Sequence, residues 1–344
     1  MRKWSIVVLI QLILLSSCST DFNVITSWKD ITIVYGLFDA SDTAQYIRIG
    51  KAFLDPNTNA LSIAQIPDSL YYKDLSVELE EYSNGNLVNT TQLEKVDGNS
   101  EGLVKDTGIF ANSPNTLYKT TQTLNQDSRY NLVITKPDNG SQTTASTAII
   151  NNFQIQRPTP SIKVNLLPGI LSKAFVSWTS AKDGKIYALT IRFYYREYNK
   201  VDPSQVQQKS VDWTLFTSKS SNDTLGTETM TEDLSGDNFY AFLNSAIPDD
   251  QNVFRTAGKL DFMFSVGGEA LHIYNQVTLA QQGLTSGQVL PTYTNIHNGL
   301  GLLSSRFHKS VLQVPFDPRT IDSIACYGIT SHLNFLKSDS SYCH

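Results

Sequence analysis

Residues 75–96 read LSVELEEYSNGNLVNTTQLEKV, and this stretch decides the fold class. Apolar residues alternate with polar ones over its first five positions, which is the period of a half-buried strand. Asn84-Gly85 follows, and this dipeptide is the strongest short signal for a two-residue hairpin turn. The stretch therefore predicts a β-hairpin whose return strand runs from Leu87 to Val96.

The segments on either side of this hairpin show the same kind of pattern. Further strands are predicted at Ile31–Leu37, Gln45–Phe53, Tyr130–Ile134 and Thr143–Ile150, the last two separated by a turn at Pro137–Gly140. Short strands at this spacing, with turns between them, predict a β-sandwich over residues 30–155.

A stiff segment follows the predicted sandwich. Gln156–Pro160 contains two prolines, each of which fixes its own φ and restricts the residue before it. We therefore expect a domain boundary near residue 155 and a second domain over residues 156–344.

The second domain is predicted to be rich in β structure with a short helix. Alternating residues predict strands over Tyr187–Arg196 and Leu260–Val266. Near 237–247 the apolar residues instead recur at helical spacing, with Asp237 as the N-cap and Pro248 as the stop. The fold class expected for the whole chain is therefore mainly β.

The segment from Ala280 to Gly301 is rich in Gln, Gly, Thr and Asn and predicts a long loop. Loops of this length tend to be functional or disordered. One question for the structure is whether this segment and the Asn84–Gly108 region form a single concave surface.

The beginning of the sequence resembles a lipoprotein signal. Two basic residues precede an apolar run, Trp4–Leu15, which is too short to span a bilayer and fits a secretion signal. Leu15–Cys18 resembles the lipobox of bacterial lipoproteins. We expect residues 1–17 to be removed, Cys18 to be acylated and residues 18–29 to form a polar tether to the membrane. The alternative is an ordinary signal peptide with a chance cysteine.

Two further cysteines, Cys326 and Cys343, lie near the C-terminus. An oxidising compartment would permit them to form a disulfide, which would stabilise the fold by about 3 kcal/mol in the chain-entropy model. Two free thiols are an equally good interpretation, because sequence does not determine connectivity.

The sequence argues against several classes of function. Charged residues make up only 17% of the chain and the net charge is −5, so the basic surface needed to neutralise phosphates is missing and nucleic acid is not an expected partner. It also contains no HExxH, GxSxG or P-loop motif. We expect no cofactor, no metal and no catalytic residues.

One loop has a partial likeness to a calcium site. Asp97–Gly102 places oxygen-bearing residues at positions 1, 3 and 5 and glycine at position 6. Position 9 is Lys105 and position 12 is Gly108, so the closing carboxylate is missing. A polar hairpin loop is therefore the favoured interpretation.

The residues after Cys18 carry a second resemblance. Ser19–Phe22 includes Asp21 and resembles the export signal that sends lipoproteins of Bacteroidota to the cell surface. This resemblance implies an outer-membrane location with exposure at the cell surface. The periplasmic face is the alternative.

Much of the mature chain resembles uncharacterised Bacteroidota lipoproteins, which belong to families with domains of unknown function. Phe239–Ile247, Leu260–Gly268 and Tyr293–Arg306 resemble their second half, and Ile31–Ile150 resembles their immunoglobulin- or transthyretin-like sandwich. The most specific part is a turn motif formed by Asn295, Asn298, Gly299 and Gly301, whose glycines suit a tight turn. Such families are often encoded beside TonB-dependent transporters, which implies a partner role.

These observations lead to one principal functional hypothesis. We expect a non-enzymatic, lipid-anchored surface protein that binds a glycan or peptide ligand or a partner protein. The alternatives are a surface glycoside hydrolase, which needs two carboxylates converging in a cleft, and a structural or assembly protein of the envelope.

Overall fold

A computed structural model describes residues 31–52, 60–169, 174–283 and 292–343. The predicted signal peptide, residues 1–17, and the predicted tether, residues 18–29, lie outside the described residues, as does Cys18.

The described chain is mainly β, which confirms the expected fold class. The strands are β1 Ile31–Phe38, β2 Gln45–Ala52, β3 Ser76–Ser83, β4 Asn86–Gln92, β5 Glu94–Asp97, β6 Thr116–Thr120, β7 Arg129–Thr135, β8 Gln142–Ala148, β9 Ile155–Arg157, β10 Ala174–Thr179, β11 Ile186–Asn199, β12 Val206–Ser220, β13 Thr229–Leu234, β14 Val253–Gly267, β15 Ile296–His297 and β16 Gly299–Val314. The helices are α1 Ala60–Ala64, α2 Pro67–Leu70, α3 Gly236–Ala246, α4 Glu269–Gly283, α5 Pro318–Cys326 and a 3-10 turn at Ser331–Leu333.

These strands form three sheets. The largest has eight strands in the order β12-β11-β14-β16-β1-β2-β6-β5. A five-stranded sheet has the order β15-β8-β7-β3-β4, and a three-stranded sheet has the order β13-β10-β9. The five-stranded sheet packs on one end of the eight-stranded sheet, so the N-terminal half forms a sandwich.

The predicted hairpin is confirmed at its turn and corrected in its return strand. Asn84 and Gly85 have φ of 50° and 80°, as a tight two-residue hairpin turn requires. The return segment splits at buried Leu93 into β4, which pairs with β3, and β5, which pairs with β6 of the other sheet. The split arises because Leu93 turns into the core, where its N–H binds the carbonyl oxygen of Val77 at 2.8 Å.

β1 and β16, which are the first and last strands of the large sheet in chain order, join the two halves of the chain. β1 pairs with β16 in parallel, from Thr32 opposite Gly299 to Phe38 opposite Ser305. β1 also pairs with β2 in antiparallel fashion, and β16 continues beyond β1 to pair with β14. One sheet therefore contains strands from both sides of residue 155.

Two hydrophobic cores lie on the same face of this sheet, which we call the inner face. The first core includes Val34 and Val77, and the second includes Trp178 and Phe264. Buried residues pass from the first core to the second between Ile149 and Ile150, close to the expected boundary, although the shared sheet crosses that boundary.

The predicted helix near 237–247 corresponds to α3, but its N-cap differs from the prediction. The Ser235 hydroxyl, not Asp237, accepts the hydrogen bond from the backbone N–H of Asn238, at 3.3 Å. The Asp237 carboxylate instead accepts a hydrogen bond from the N–H of Gly169. The helix starts at Gly236, so Asp237 lies in its first turn, where a carboxylate favours the helix dipole.

The prediction of one long loop over Ala280–Gly301 is wrong at both ends. Helix α4, which was not predicted, continues to Gly283, and β15 and β16 occupy 296–297 and 299 onwards. Residues 280–301 are polar in composition, so the sequence did not indicate the end of α4 or the start of β16. None of the α4 residues whose side chains are described is buried, and β16 uses glycine to approach β1 closely.

Candidate functional site

The turn motif marks the place where the chain crosses from one sheet to the other. β15 pairs with β8 of the five-stranded sheet, and β16 begins two residues later beside β1. The Asn295 side chain holds this crossing through two hydrogen bonds to the backbone of Leu303, at 2.6 and 3.0 Å. Asn298 has φ of 55°, and its side chain donates to the carbonyl oxygen of Gln142. The motif therefore has a structural role at this junction.

The two glycines of the motif permit the parallel pairing. A Cβ atom on Gly299 would lie 2.7 Å from the carbonyl oxygen of Thr32. Gly301 has φ of +119°, and a Cβ there would lie 1.9 Å from the carbonyl oxygen of Val34. Side chains at these positions would push β16 away from β1, so these glycines act on shape and not on chemistry.

Cys326 and Cys343 form a disulfide in the structure, with their Cα atoms 5.3 Å apart. The bond joins the end of α5 to the last described residues of the chain. Between the two cysteines, buried Leu333 and Phe335 complete the second core, so the disulfide encloses a segment that closes that core.

The calcium-like loop is organised by its own hydrogen bonds. The Asp97 carboxylate accepts the N–H of Asn99 at 3.1 Å and that of Asn115 at 3.0 Å. Within the described ranges, no group of three or more His, Cys, Asp or Glu side chains is placed to hold a metal ion.

The most distinctive surface lies on the outer face of the eight-stranded sheet, opposite the cores. Residues that point outward from β1 include Tyr35, which is 44% exposed, and Leu37. In the sheet register Tyr35 lies between Leu302 of β16 and Arg48 of β2. These outward side chains form the floor of a groove.

Helix α4 forms one wall of this groove. Leu271, Tyr274, Val277 and Gln281 recur at helical spacing, and this side of α4 faces the floor. Leu103, from the loop between β5 and β6, contributes to the opposite side. We call this surface the α4 groove, and define it by Tyr35, Leu37, Arg48, Leu103, Tyr274, Tyr293, Leu300 and Leu302.

The α4 groove contains two adjoining cavities of about 500 and 250 Å³ that share Tyr35 and Tyr274. The first is lined by Leu103, from the Asn84–Gly108 region, and the second by Tyr293, from the 280–301 segment. The two segments that the sequence singled out therefore contribute to one concave surface.

The loop that carries Leu103 is fixed to the sheet by a polar network. The Glu101 carboxylate accepts a hydrogen bond from the Tyr46 hydroxyl at 2.9 Å and lies 2.6 Å from the Lys119 ammonium. Tyr35 and Tyr274 are also linked to each other. Burial, and then the hydrogen bond with Tyr274, raise the pKa of Tyr35, so the Tyr35 phenol stays neutral in the floor.

Arg48 is a positively charged residue in the floor of the α4 groove. It is half-buried beside Tyr35, yet its guanidinium makes no hydrogen bond or ion pair with the described part of the chain. One charged neighbour, Lys105, repels it. Burial, and then the charge of Arg48, lower the pKa of Lys105. A half-buried guanidinium with no anionic partner in the described ranges favours a ligand that brings an anion.

A separate polar cluster lies at the end of the groove, just after β1. Asp39 is fully buried, and its carboxylate accepts hydrogen bonds from the Ser41 hydroxyl at 2.6 Å and from His308 at 2.8 Å. Arg306 lies 3.6 Å from Asp39 and 3.1 Å from Asp42. The cluster thus links the end of β1 to β16.

The pKa of Asp39 follows from these contacts. Burial alone would raise it, but the hydrogen bonds from Ser41 and His308 outweigh burial, and the net shift is downward. Asp39 therefore stays ionised near neutral pH and holds the His308 ring in place. This state does not suit the proton-donating carboxylic acid that a glycoside hydrolase needs.

Of three tyrosines outside the main strands, Tyr71, Tyr72 and Tyr293, one lines the groove. Tyr293 lines the smaller cavity. Tyr71 is buried with Leu70 and Ala111 in a small cluster, and the Tyr72 hydroxyl lies 3.1 Å from that of Thr32. Sequence reasoning missed Tyr35 and Arg48. The signal that could have found them is the run of outward apolar residues in β1, which a solvent-facing strand does not need.

A second cavity of about 500 Å³ lies at the other end of the sheet, beside Tyr194 and Arg196. It is less distinctive, because Arg196 is exposed and the Tyr194 hydroxyl is already bonded to Asp261 at 2.9 Å.

No helix among the described residues combines the length and the apolar character needed to cross a bilayer. The sequence was also compared with known proteins. Neither a protein-family model nor a curated protein sequence matches this chain.

Proposed function

We propose that this protein is a lipid-anchored, non-enzymatic binding protein of the cell surface, and that the α4 groove is its binding site. The observation that carries the binding role is the half-buried guanidinium of Arg48, which has no hydrogen-bond or ion-pair partner among the described residues, within an apolar and aromatic groove. Ligand sites are typically concave and mostly apolar, with a few placed polar groups.

The ligand that fits this groove has an apolar body and an anionic group. Tyr35, Leu37 and Leu300 offer exposed apolar surface, and aromatic rings also stack on planar or sugar groups. Arg48 supplies a positive charge in the floor, and Lys105 lies close enough for the two charges to repel each other. A carboxylate, sulfate or phosphate on the ligand would replace the water around Arg48 with charge-assisted hydrogen bonds.

The test uses two dyes of similar shape. Anilinonaphthalene sulfonate carries an anion, and N-phenylnaphthylamine does not. We expect Arg48→Gln to raise the Kd for the sulfonate dye about tenfold or more and to leave the neutral dye unaffected, because a hydrogen bond to a charged group contributes about 1.5–3 kcal/mol.

The matched control is Arg196→Gln, which removes the same charge beside the second cavity. If Arg196→Gln weakens binding of the sulfonate dye and Arg48→Gln does not, the ligand site lies at the other end of the sheet. Equal, small effects of both variants would contradict the proposed role of Arg48.

The membrane anchor has its own test. The proposal predicts that Cys18→Ser abolishes acylation and attachment to membranes. A Cys18→Ser protein that is still processed and still sediments with membranes would contradict the anchor.

The resemblance to lipoproteins encoded beside TonB-dependent transporters supports an accessory role to such a transporter. We expect a transporter to accompany the lipidated protein through purification in mild detergent. A native complex with no membrane partner would contradict this role and leave the groove proposal standing.

A further inference from the structure

Large apolar side chains are exposed at one end of the N-terminal half, outside the α4 groove. Ile66 follows α1, and Val104, Ile109 and Phe110 belong to the loop between β5 and β6, with Val104 78% exposed. We call these four residues the apolar tip. Soluble surfaces rarely gather such residues unless another surface covers them.

The two segments of the apolar tip are held together by backbone contacts. The N–H of Ala111 donates to the carbonyl oxygen of Ala64 at 2.9 Å. The Gln65 side chain donates to the carbonyl oxygen of Ile109. Ile66 and the pair Ile109–Phe110 therefore belong to one surface.

The apolar tip lies at the end of the sheet where the chain enters β1. Ile31, the first residue of β1, is paired with Ala52, the last residue of β2. β6 runs antiparallel to β2, so its first residue, Thr116, lies near the end of β2, and it pairs with Asp97 at the end of β5. The loop between β5 and β6 therefore emerges at the end of the sheet where β1 starts, with β2 between them.

We infer that the apolar tip docks on the lipid bilayer that holds the anchor. The inference rests on the proposed lipid attachment at Cys18. The 13 residues from Cys18 to Asp30 can span at most roughly 45 Å even when extended, so the end of the fold nearest the anchor stays within reach of the lipid surface. A cluster of Ile, Val and Phe suits insertion at the boundary between headgroups and acyl chains.

Charge plays a minor part in this docking. Lysines lie near the tip, and Lys105 lies over the Phe110 ring at 5.6 Å. Acidic residues such as Asp68 and Asp106 belong to the same segments. We therefore expect docking to depend on burial of apolar side chains and to persist at high salt.

The experiment uses the full lipidated chain reconstituted in phosphatidylcholine vesicles. An environment-sensitive fluorophore is attached at Val104→Cys or, as control, at Val201→Cys, which is 93% exposed in the turn after β11. Lipids that carry a nitroxide near the headgroup should reduce the emission at position 104 at least twofold, in 0.1 M and in 1 M salt, and leave position 201 unchanged. No quenching at 104, or equal quenching at both positions, would overturn the docking surface.

A second variant separates docking from attachment. Ile109→Asp with Phe110→Asp should abolish the quenching at position 104, while Val206→Asp, at an exposed site on β12, should not. Both variants should remain acylated and vesicle-bound. A lipidated chain without quenching overturns only the docking surface, whereas a chain without acyl groups overturns the anchor and the docking surface together. The dye measurements on Arg48 are independent of both results.

Discussion

The outer face of the eight-stranded sheet differs between its two halves. On β12, β11 and β14 the outward side chains form polar pairs. Arg192 pairs with Asp212 at 2.6 and 2.7 Å, and Tyr194 pairs with Asp261 at 2.9 Å. On β1 and at the start of β16 the outward side chains include exposed apolar residues instead, such as Leu37 and Leu300.

This difference does not come from the core. The inner face is apolar in both halves, and each half buries its own hydrophobic cluster. In the polar half of the outer face, Arg192 and Tyr194 hydrogen-bond to Asp212 and Asp261. The apolar half leaves surface that water disfavours, and this contrast is the physical reason for locating the binding site in the α4 groove.

The largest expected effect comes from separating β1 from β16, the pairing that joins the two halves of the chain. We expect Gly301→Val to lower the free energy of unfolding by more than about 4 kcal/mol, because its Cβ would overlap the carbonyl oxygen of Val34 and prevent β1–β16 pairing. Urea denaturation measures the change. Gly328→Ala, where an added Cβ meets nothing within 4 Å, is the control and should change stability by less than about 0.5 kcal/mol. Similar losses in both variants would contradict the role of the close approach.

A second pair of variants compares the two faces of one strand. Leu303 is fully buried in the first core, and Leu300 is exposed in the groove. Leu303→Ala should cost about 2–5 kcal/mol of unfolding free energy, as cavities in a core do, and Leu300→Ala less than about 1 kcal/mol. If Leu300→Ala costs as much as Leu303→Ala, the outer apolar surface is part of the core and not a free groove.

A smaller effect on stability is expected at the polar cluster around Asp39, which lies between the two halves of the outer face. The pKa of Asp39 is lower in the folded protein than its ordinary value of 3.8, so its stabilising contribution is present above that value and is lost as pH falls through the folded pKa. Asp39→Asn should lower stability at pH 7 by about 2 kcal/mol and reduce the acid-induced loss of stability. Denaturation curves between pH 7 and pH 2 measure both quantities. Asp138→Asn, in an exposed turn, should reproduce the wild-type pH dependence.

The smallest expected effect lies in the polar half. Arg192 and Asp212 are largely solvated, and exposed ion pairs contribute little to stability. Arg192→Gln should leave the denaturation midpoint and the binding of both dyes unchanged within error. A clear loss of dye binding would place the site in the polar half and reverse the comparison.

Much of the fold follows from local patterns. Alternation over 75–80 and the Asn84-Gly85 turn predict a hairpin, and helical spacing predicts α3, because each depends only on neighbouring residues. The pairing of β1 with β16 is invisible at this level, since Thr32 meets Gly299 through the tertiary fold. Helix α4 was not predicted, although Leu271, Tyr274 and Val277 recur at helical spacing, and its last turn runs into the polar stretch that begins at Ala280.

The candidate site was harder to predict than the fold. Tyr35, Arg48, Leu103 and Tyr274 come from four separate segments, and none carries a motif. The Asn295–Gly301 motif drew attention because its residues are specific, but that specificity serves backbone geometry at the crossing between sheets. A specific asparagine and glycine motif such as this one therefore indicates a required backbone conformation and does not identify a ligand.

The parallel pairing of β1 and β16 also sets the order of assembly of a nascent chain. The ribosome completes β1 long before it makes β16, and until then one edge of β1 displays unpaired N–H and C=O groups, which are a template for aggregation. Contacts between residues this distant in sequence also form slowly. A newly made chain therefore carries an unpaired edge on its first strand until its last long strand has been synthesised.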